Sequence, residues 1–479
     1  MTENALYYGD NLDVLRENIE DETVDLVYLD PPFNSQATYN VLFRAPNGEQ
    51  SAAQIEAFED TWHWNEHAED AFDQVMHGDN AEAAEMLRAM RSFLGENDMM
   101  AYLTMMAIRL LEMHRKLKKT GSLYLHCDPK ASHYLKILLD AVFGARDFRN
   151  EIIWCYRKWS TKGGQFSRNH DVILFYSKGA ESIFNPQFVP VSAGTMRRWG
   201  GKKQQAYFKD GVRKAASTEE EAMSPCPDWW DISILNPNSK ERLSYPTQKP
   251  LALLDRIIRA SSNEGDVVLD PFCGCGTAVH AAQKLRRRWI GIDITHLAIS
   301  LIEKRLNDAF PGIKYEVHGA PKDLDGARDL ANRDKYQFQW WAVSLVRAVP
   351  FGGKKKGADT GIDGVIYFKP DGKTTEKAIV SVKGGANVNV GMIRELGHVV
   401  DRDGAKMGVF ITLAPPTGPM KKEAIKASFY ETEYGKFAKI QILTIEELLA
   451  GKKIEMPWLD PTAFKKATKE DPSVQHKLI

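Results

Sequence analysis

The chain of 479 residues lacks several features that would assign it to a class at once. No apolar run reaches the ~18 residues of a membrane-spanning helix, and the N-terminus has no basic segment followed by an apolar one. We therefore expect a cytoplasmic protein with no membrane partner. The formal net charge of −1 is close to zero. Binding of an anionic partner would therefore depend on how the charges are distributed along the chain.

Cysteine is scarce, with five residues scattered along the chain. An odd and scattered set argues against a disulfide framework and fits a reducing compartment. Cys273 and Cys275 are separated by one residue and have no second pair or histidine cluster beside them, so we reject a zinc site. The remaining composition, 43% hydrophobic and 27% charged, is ordinary for a globular protein. The length predicts two or three domains.

The stretch around which the chain is organised runs from 25 to 35. Its first five residues, mostly apolar, predict a buried strand, and two prolines then end that strand. Asp30 and Phe33 would therefore lie at the carboxyl end of a sheet strand, where open α/β folds bind their ligands. By itself, however, an Asp-Pro-Pro sequence more often marks a helix cap followed by a turn.

A second motif, from 245 to 293, changes that balance. It contains a short strand, the turn 270–277 with two glycines, a helix, and a strand that ends at Asp293, 23 residues after Asp270. Such a βαβ unit suits a nucleoside cofactor, because glycines allow close approach of the backbone and the second acid can accept hydrogen bonds from ribose hydroxyls. Gly-x-Gly-x-x-Gly is absent, so a nicotinamide dinucleotide is not favoured.

Three motifs in this order resemble a known family. They are Asp-Pro-Pro-Phe at 30–33, Thr-Gln-Lys-Pro at 247–250 and Asp-Pro-Phe-Cys-Gly-Cys-Gly-Thr at 270–277. They resemble the β subgroup of the S-adenosylmethionine-dependent DNA amino-methyltransferases over about residues 7–305. Cys275 departs from the family, which usually has serine there. The resemblance implies an α/β fold with a Rossmann-like methyltransferase sheet, an inserted DNA-recognition region and methyl transfer that needs no metal.

The resemblance also implies roles for individual residues. The acid at 30 and the carbonyl of the next residue would accept the two N–H bonds of a flipped base, and the aromatic ring at 33 would stack on that base. An acid at the first motif position favours adenine N6 over cytosine N4. The implied catalytic residues are Asp30, Pro31, Pro32 and Phe33. The implied cofactor-binding residues are Asp10, Thr247, Lys249, Asp270, Phe272, Gly274, Gly276 and Asp293. For Asp10, a helix cap is an equally good interpretation.

The segment between the motifs is basic. Residues 151–215 contain twelve Lys and Arg against four Asp and Glu, which favours contact with double-stranded DNA. Residues 179–242 combine Arg, Lys, Trp and Gly with little hydrophobic periodicity, and we predict target recognition there. A homodimer and a cognate restriction component are further partners that the resemblance allows. The predicted DNA-binding residues are Arg157, Lys158, Lys162, Arg168, His170, Arg197, Arg198, Lys202 and Lys203.

Two other polar groups invite a catalytic role. His126 and Asp128 follow a predicted buried strand beside the Asp30 strand, but the expected chemistry needs no such pair, so we predict orientation or capping. The aromatic segment 58–64 could contact DNA, although a packed cluster is the commoner outcome.

The C-terminal part predicts a separate, smaller α/β domain. We expect a methyltransferase domain over 1–318, a linker over 319–334, the second domain over 335–460 and a tail over 461–479. Gly-Ile-Asp-Gly at 361–364, followed further along by Ser-Val-Lys at 381–383, resembles restriction endonucleases of the Mrr type. In active members of that type, an Asp and a Glu/Gln-x-Lys motif hold a divalent metal. Asp363 and Lys383 match, but Ser381 replaces the third ligand, and a hydroxyl is a poor ligand for Mg²⁺. We expect a DNA-binding or partner-contacting remnant, with Mg²⁺ relevant only if the domain cleaves.

Several alternatives remain open. A cytosine-N4 enzyme keeps the class and changes the base, and a combined restriction-modification protein would cleave DNA with its C-terminal domain. A DNA-binding module with both sites inactive conflicts with the intact Asp-Pro-Pro-Phe sequence. RNA or a small molecule as substrate is less favoured than DNA because of the basic, aromatic segment between the motifs.

Overall fold

The computed structural model describes residues 4–32, 37–44, 50–60, 63–158, 164, 166–209, 212–236, 239, 241–243, 245, 247–351, 361–371, 374–433, 435–457 and 470. Within these residues no helix is both long and apolar enough to cross a membrane. Phe33 and Lys162, which the sequence marks as candidate site residues, lie outside them.

The N-terminal part of the chain contains strands and helices in mixed order. Its first elements are β1 (Ala5–Tyr8), α1 (Asn11–Glu17), β2 (Val24–Leu29), β3 (Ala37–Arg44), β4 (Gln50–Asp60), α2 (Glu66–Met76), α3 (Ala81–Leu94), α4 (Asp98–Lys116), β5 (Leu117–Cys127), α5 (Ser132–Phe143), β6 (Phe148–Cys155) and β7 (His170–Ser177). Next come β8 (Phe188–Pro190), α6 (Ala193–Trp199), β9 (Lys202–Lys209), β10 (Val212–Glu221), β11 (Met223–Pro225) and β12 (Trp229–Asp231). The βαβ unit follows with α7 (Leu251–Ala260), β13 (Val267–Asp270), α8 (Thr277–Lys284), β14 (Arg288–Asp293), α9 (His296–Ala309) and β15 (Glu316–His318).

A nine-stranded sheet in the described residues has the order β12-β6-β7-β5-β2-β13-β14-β1-β15. In the central part of this order, β5-β2-β13-β14-β1, each strand runs parallel to the next. Strand β7 is antiparallel to both β5 and β6. All six residues of β2 are buried, as expected for a central parallel strand covered on both faces. The carboxyl ends of β1, β2, β13 and β14 therefore meet at one edge.

Two apolar layers cover this sheet. Side chains alternate along a strand, so Leu26 and Tyr28 pack with helices α7, α8 and α9, while Val27 and Leu29 pack with α1, α4 and α5. This arrangement confirms the predicted α/β class with a Rossmann-like sheet.

The predicted target-recognition segment, 179–242, contains little of the core. Strands β9 and β10 pair only with each other among the described strands, as do β8 and β11, while β12 joins the large sheet beside β6. Aromatic side chains at Phe184, Phe188 and Trp229 are exposed. The assignment of this segment to target recognition stays a prediction.

The aromatic segment 58–64 is described in part. The Trp64 ring lies 6.3 Å from the Phe72 ring, and the Arg91 guanidinium lies 4.6 Å from the centre of the Trp64 ring. Trp64 is thus part of a packed cluster on α2 and α3. The backbone of β3 and β4 forms an antiparallel pair.

The C-terminal part forms a second α/β unit. Its elements are α10 (Leu324–Arg333), α11 (Lys335–Leu345), β16 (Val349–Pro350), β17 (Gly364–Phe368), β18 (Glu376–Lys383), α12 (Val390–Arg402), β19 (Met407–Thr412), α13 (Gly418–Lys426), β20 (Phe429–Thr432), β21 (Gly435–Ala438), β22 (Ile440–Thr444) and α14 (Ile445–Leu449). Within the described range the sheet order is β16-β17-β18-β19-β22. The segment expected to be a linker, 319–334, contains α10, whose Ala327 and Leu330 are buried. The two parts are therefore joined by packed helix, and the exact domain division stays a prediction.

Candidate active site

A cleft of about 280 Å³ opens at the edge where β1, β2, β13 and β14 end. Residues from all three sequence motifs line it, although they are far apart along the chain. Of the predicted catalytic and cofactor-binding residues, those lining the cleft are Asp10, Asp30, Pro31, Pro32, Thr247, Lys249, Asp270, Phe272, Gly274 and Asp293.

Asp30 follows the last residue of β2, and no helix of the described residues starts there. Its Oδ2 atom accepts a hydrogen bond of 2.5 Å from Lys249 Nζ, and both side chains are mostly buried. Lys249 stands just before Pro250, the residue that precedes α7. The helix-cap alternative for Asp30 is therefore wrong: the carboxylate is held at the cleft by an ion pair.

His126 is a fully buried residue between two carboxylates. Its Nδ1 atom lies 3.1 Å from the Tyr28 hydroxyl and 3.5 Å from Asp30 Oδ1, while its Nε2 atom lies 3.3 Å from Asp171 Oδ2. Tyr156 donates a 3.0 Å hydrogen bond to the other oxygen of Asp171. Burial raises the pKa of Asp171, but the hydrogen bonds and charge of His126 outweigh it and leave that pKa below its usual value.

This geometry fits the orienting role predicted for His126, since an ionised Asp171 holds the ring beside Asp30. Asp128 instead accepts hydrogen bonds of 3.1 Å from the backbone N–H groups of Lys130 and Ala131, in the turn that precedes α5.

Asp293 ends β14 and is tied to two neighbouring loops. Gly274 donates its backbone N–H to Oδ2 over 2.9 Å, and Thr295 donates both its N–H and its hydroxyl to Oδ1, each over 2.9 Å. Burial raises the pKa of Asp293 to about 6 despite these hydrogen bonds. Its protonation state therefore changes close to neutral pH.

The loop 270–277 is held by hydrogen bonds at its start. Asp270 accepts the backbone N–H of Phe272 over 3.1 Å, and Asn11 Nδ2 donates to the Pro271 carbonyl over 2.9 Å. Burial raises the pKa of Asp270 well above its usual value.

The two glycines of this loop differ in what they do. Gly274 has φ +49°, and a Cβ there would lie 3.3 Å from the Tyr245 ring, so a bare backbone faces the cleft. Gly276 has φ +73° and is buried, and a Cβ would lie 2.8 Å from Ile302. Gly276 packs against Ile302 at the start of α8, between the cleft-lining Cys275 and Thr277, and its contact with the cofactor stays a prediction.

Asp10 caps a helix and also lines the cleft. Its Oδ1 atom accepts the backbone N–H of Leu12 over 2.8 Å and thereby caps α1. Arg109 also binds both carboxylate oxygens, over 2.9 and 3.1 Å. Burial lowers the pKa of Arg109, while the charge of Asp10 opposes that shift. The carboxylate nevertheless faces the cleft, with 38% of its side chain exposed.

Sequence reasoning missed several residues that build the site. Tyr28, Arg109, Tyr245 and Thr295 line the cleft. Arg305 is buried and donates to the Cys275 carbonyl (3.2 Å) and to the Thr277 hydroxyl (3.1 Å). An arginine three and four residues after Ile302 and Leu301, on the apolar face of α9, was a signal that could have identified it.

The predicted DNA-binding residues lie at the surface, away from the core. Arg157, Lys158 and Arg168 are exposed beside the ends of β6 and β7, and His170 is half-buried in β7. The other predicted residues that the structure describes are also exposed: Arg197 and Arg198 lie on α6, and Lys202 and Lys203 lie on β9. Their contact with DNA stays a prediction.

The second candidate site lies in the C-terminal sheet, where strand β17 begins and the neighbouring strand β18 ends. Asp363 Oδ2 accepts the backbone N–H of Val382 over 2.6 Å, and Asp363 Oδ1 accepts Gln339 Nε2 over 3.1 Å. Lys383 ends β18 and is half-buried, while Ser381 is buried. In the part of the chain that the structure describes, no group of three His, Cys, Asp or Glu side chains could hold a metal ion.

Comparison with known proteins identifies two family models. One, described as DNA methylase, matches residues 24–304, and the other, described as restriction endonuclease, matches residues 330–450. The type II methyltransferase M.EcaI of Enterobacter cloacae is 31% identical over 259 residues, covering 43% of this chain and 57% of that protein. The DNA adenine methyltransferase YhdJ of Escherichia coli K12 is 31% identical over 202 residues, covering 42% of this chain and 65% of that protein.

Among solved structures, a putative DNA modification methylase from Thermus thermophilus complexed with S-adenosyl-L-methionine is 18% identical, with a TM-score of 0.36 over 66% of this chain and 97% of that one. The chain thus spans about three fifths of the length of the curated relatives named above.

Proposed function

Because this chain belongs to the DNA methylase family whose model matches residues 24–304, we propose that it transfers a methyl group from S-adenosylmethionine to the N6 amine of adenine in double-stranded DNA. The observation that carries the proposal is the position of Asp30. Its carboxylate is held by Lys249 at the rim of the cleft that the glycine-containing loop 270–277 also lines.

The residues that line the cleft suit S-adenosylmethionine. Asp293 offers carboxylate oxygens for ribose hydroxyls, and Gly274 leaves a bare backbone where a Cβ would meet Tyr245. Acids from four strand ends line the cleft and offer hydrogen-bonding oxygens: Asp10 and Asp30, whose charges are paired with Arg109 and Lys249, and the buried Asp270 and Asp293. When bound, the sulfonium supplies an electrophilic methyl group.

The protein must then prepare the amine that attacks this methyl group. The lone pair of an exocyclic amine is delocalised into the ring, so the nitrogen is a weak nucleophile. Asp30 and the Pro31 carbonyl accept its two N–H bonds and favour tetrahedral nitrogen. Lys249 keeps Asp30 in place from one side and His126 from the other. As N–CH₃ forms and the C–S bond breaks, the nitrogen loses one proton, which the Asp30 carboxylate is placed to accept.

Access to the base requires that it leaves the duplex, since the amine is not reachable inside the stack. Phe33, one residue beyond the prolines, would stack on the flipped base. Alignment of nitrogen, methyl and sulfur then supplies the remaining acceleration as a proximity effect.

Adenine is favoured over cytosine by two observations. The first motif position is Asp30, which resembles the adenine-N6 enzymes of the family, and one of the relatives is named a DNA adenine methyltransferase. Methylation of cytosine N4 is the alternative within the family.

The basic surface supports DNA as the substrate. Arg197 and Arg198 lie exposed in the last turn of α6. Replacement of both by Glu should weaken DNA binding at all sequences and reduce the salt dependence of the affinity by about 1 per lost phosphate contact. Titration of fluorescent duplex DNA at several salt concentrations measures this, and an unchanged salt slope would move the DNA interface elsewhere.

The experiment that tests the function is incubation with tritiated S-adenosylmethionine and mixed-sequence duplex DNA, with and without Mg²⁺, followed by nucleoside analysis. Label in N6-methyladenine and intact DNA are expected. Label in N4-methylcytosine would keep the class and change the base. Fragments that require Mg²⁺ and carry no label would make the C-terminal domain the active part and overturn the proposal.

A further inference from the structure

Helix α11 belongs to the C-terminal domain, yet it packs against the walls of the cofactor cleft. One apolar cluster contains its Trp340 together with Tyr245 and Cys275, which line the cleft, and with Leu297 and Leu301 of α9. Trp340 is only 7% exposed. The contact between the two parts of the chain is thus made directly behind the cofactor loop.

Tyr245 belongs to this cluster and also lines the cleft. Its ring lies against Gly274, where a Cβ would come within 3.3 Å of it. Gly274 in turn donates its N–H to Asp293. Tyr245 therefore stands between the Trp340 cluster on one side and the backbone that holds Asp293 on the other.

A second contact from α11 reaches the start of α9. The Gln337 side-chain oxygen accepts the backbone N–H of His296 over 3.4 Å. That N–H belongs to the first turn of α9 and has no partner within the helix. Thr295, the residue before it, caps α9 and also donates two hydrogen bonds to Asp293. The His296 ring stacks on Tyr8 with the ring centres 3.6 Å apart.

The two contacts of α11 involve different neighbours of the same carboxylate, that of Asp293. Trp340 shares an apolar cluster with Tyr245, whose ring lies beside Gly274, and Gln337 accepts the N–H of His296, the residue after Thr295. Gly274 and Thr295 both donate hydrogen bonds to Asp293, and the Tyr245 ring lies beside Gly274. Since Asp293 is the acid proposed for the ribose, a shift of α11 would change the geometry of that acid.

We propose that helix α11 of the nuclease-like domain is a structural part of the S-adenosylmethionine site, with Trp340 and Gln337 as positioning residues for Tyr245 and Asp293. The domain then has a role in methyl transfer that is independent of DNA cleavage. This inference rests on the proposed function, because it concerns the affinity for the same cofactor.

The chain offers a matched control one residue away. Trp341 is 4% exposed and lies on the same helix, but its ring centre is 5.8 Å from that of Phe338, and it belongs to the large core cluster, which includes Cys273 but not Tyr245. Trp340→Ala and Trp341→Ala both remove a buried indole from α11. Each should lower the stability of the full-length chain, whereas the first alone removes the support behind Tyr245.

The test measures S-adenosylmethionine binding to the full-length protein by calorimetry, with unfolding temperature measured in parallel. We expect Trp340→Ala to raise Kd about tenfold and Trp341→Ala to leave it within about twofold. In methylation assays, Trp340→Ala should raise the KM for S-adenosylmethionine while kcat at saturation stays within about threefold. Equal changes in Kd for the two variants would reduce α11 to general packing and overturn the proposal.

Gln337→Ala keeps the test decisive if Trp340→Ala does not fold. It removes one acceptor and little apolar area, and we expect it to raise Kd about threefold. An unchanged Kd for Gln337→Ala together with an unfolded Trp340→Ala would also reject the proposal. Wild-type protein provides the separation from the proposed function: failure of wild-type protein to bind S-adenosylmethionine would refute that function, whereas wild-type binding with no effect of α11 variants would refute this inference alone.

Discussion

The cofactor cleft and the C-terminal sheet each have an aspartate near the end of a strand. In both cases the sequence motifs that point to the site also contain a lysine. The two sites differ in what surrounds the acid. Asp30 is held by Lys249 at 2.5 Å and lines a cleft. Asp363 accepts the backbone N–H of Val382 and the amide of Gln339, and Ser381 stands where a further metal ligand would be needed.

The two acids differ in the contacts that hold them, and a fold alone does not tell which of them takes part in chemistry. In the N-terminal sheet, four parallel strands end at one edge, so acids from distant segments converge on one cleft. In the C-terminal sheet, Asp363 joins the start of β17 to β18 through the Val382 N–H.

The largest effect is expected at Asp30. Asp30→Ala removes the acceptor for the amine hydrogens, and methyl transfer should fall by on the order of 10²–10³-fold, the usual loss when one transition-state interaction is removed. Transfer of tritium from S-adenosylmethionine to DNA measures this. Cofactor affinity should be retained, and appreciable turnover would remove Asp30 from its role.

A smaller effect is expected for the acid that ends β14. Asp293→Ala should weaken S-adenosylmethionine binding by about 10- to 100-fold, since hydrogen bonds to a charged group contribute roughly 1.5–3 kcal/mol. Asp325→Ala is the control, because that side chain is 90% exposed and lies on α10. Calorimetry with both variants decides, and equal affinity in the two would place the ribose contact elsewhere.

The pH dependence of cofactor binding follows from the raised pKa of Asp293, which burial brings to about 6. The ionised form accepts hydroxyl hydrogens better than the neutral acid, so affinity should be full above pH 6 and fall as the pH drops through that value, by at most tenfold per unit. Asp293→Asn should have weaker affinity with no such decline. A wild-type affinity that is constant between pH 5 and 8 would contradict this prediction.

The smallest effect on methylation is expected at the C-terminal edge. Asp363→Ala should leave methyl transfer within about twofold and lower the free energy of unfolding by about 1–3 kcal/mol, because the buried Val382 N–H loses its acceptor. Denaturant titration and the tritium assay test the two halves. Loss of an Mg²⁺-dependent cleavage activity in this variant would break the comparison and restore Asp363 as a metal ligand.

Much of the fold and of the site could be predicted from local sequence. The apolar run before Asp30, the glycine turn at 270–277 and the strand that ends at Asp293 each depend on neighbouring residues, and the predicted α/β class and the family are confirmed by the sheet and by the matching model. The segment expected to be a linker, 319–334, shows what this reasoning leaves out. Its charged sequence concealed α10, which is stable because Ala327 and Leu330 pack against the rest of the molecule.

The sequence by itself determined which residue types stand at the ends of the strands, because strand and turn preferences are local. Tertiary structure alone decided which of these residues meet. Lys249 binds Asp30 across 219 residues of chain, and Arg109 binds Asp10 across 99. It also brought α11 of the C-terminal domain behind the cofactor loop. Such contacts depend on how buried surfaces fit together, which no local pattern records.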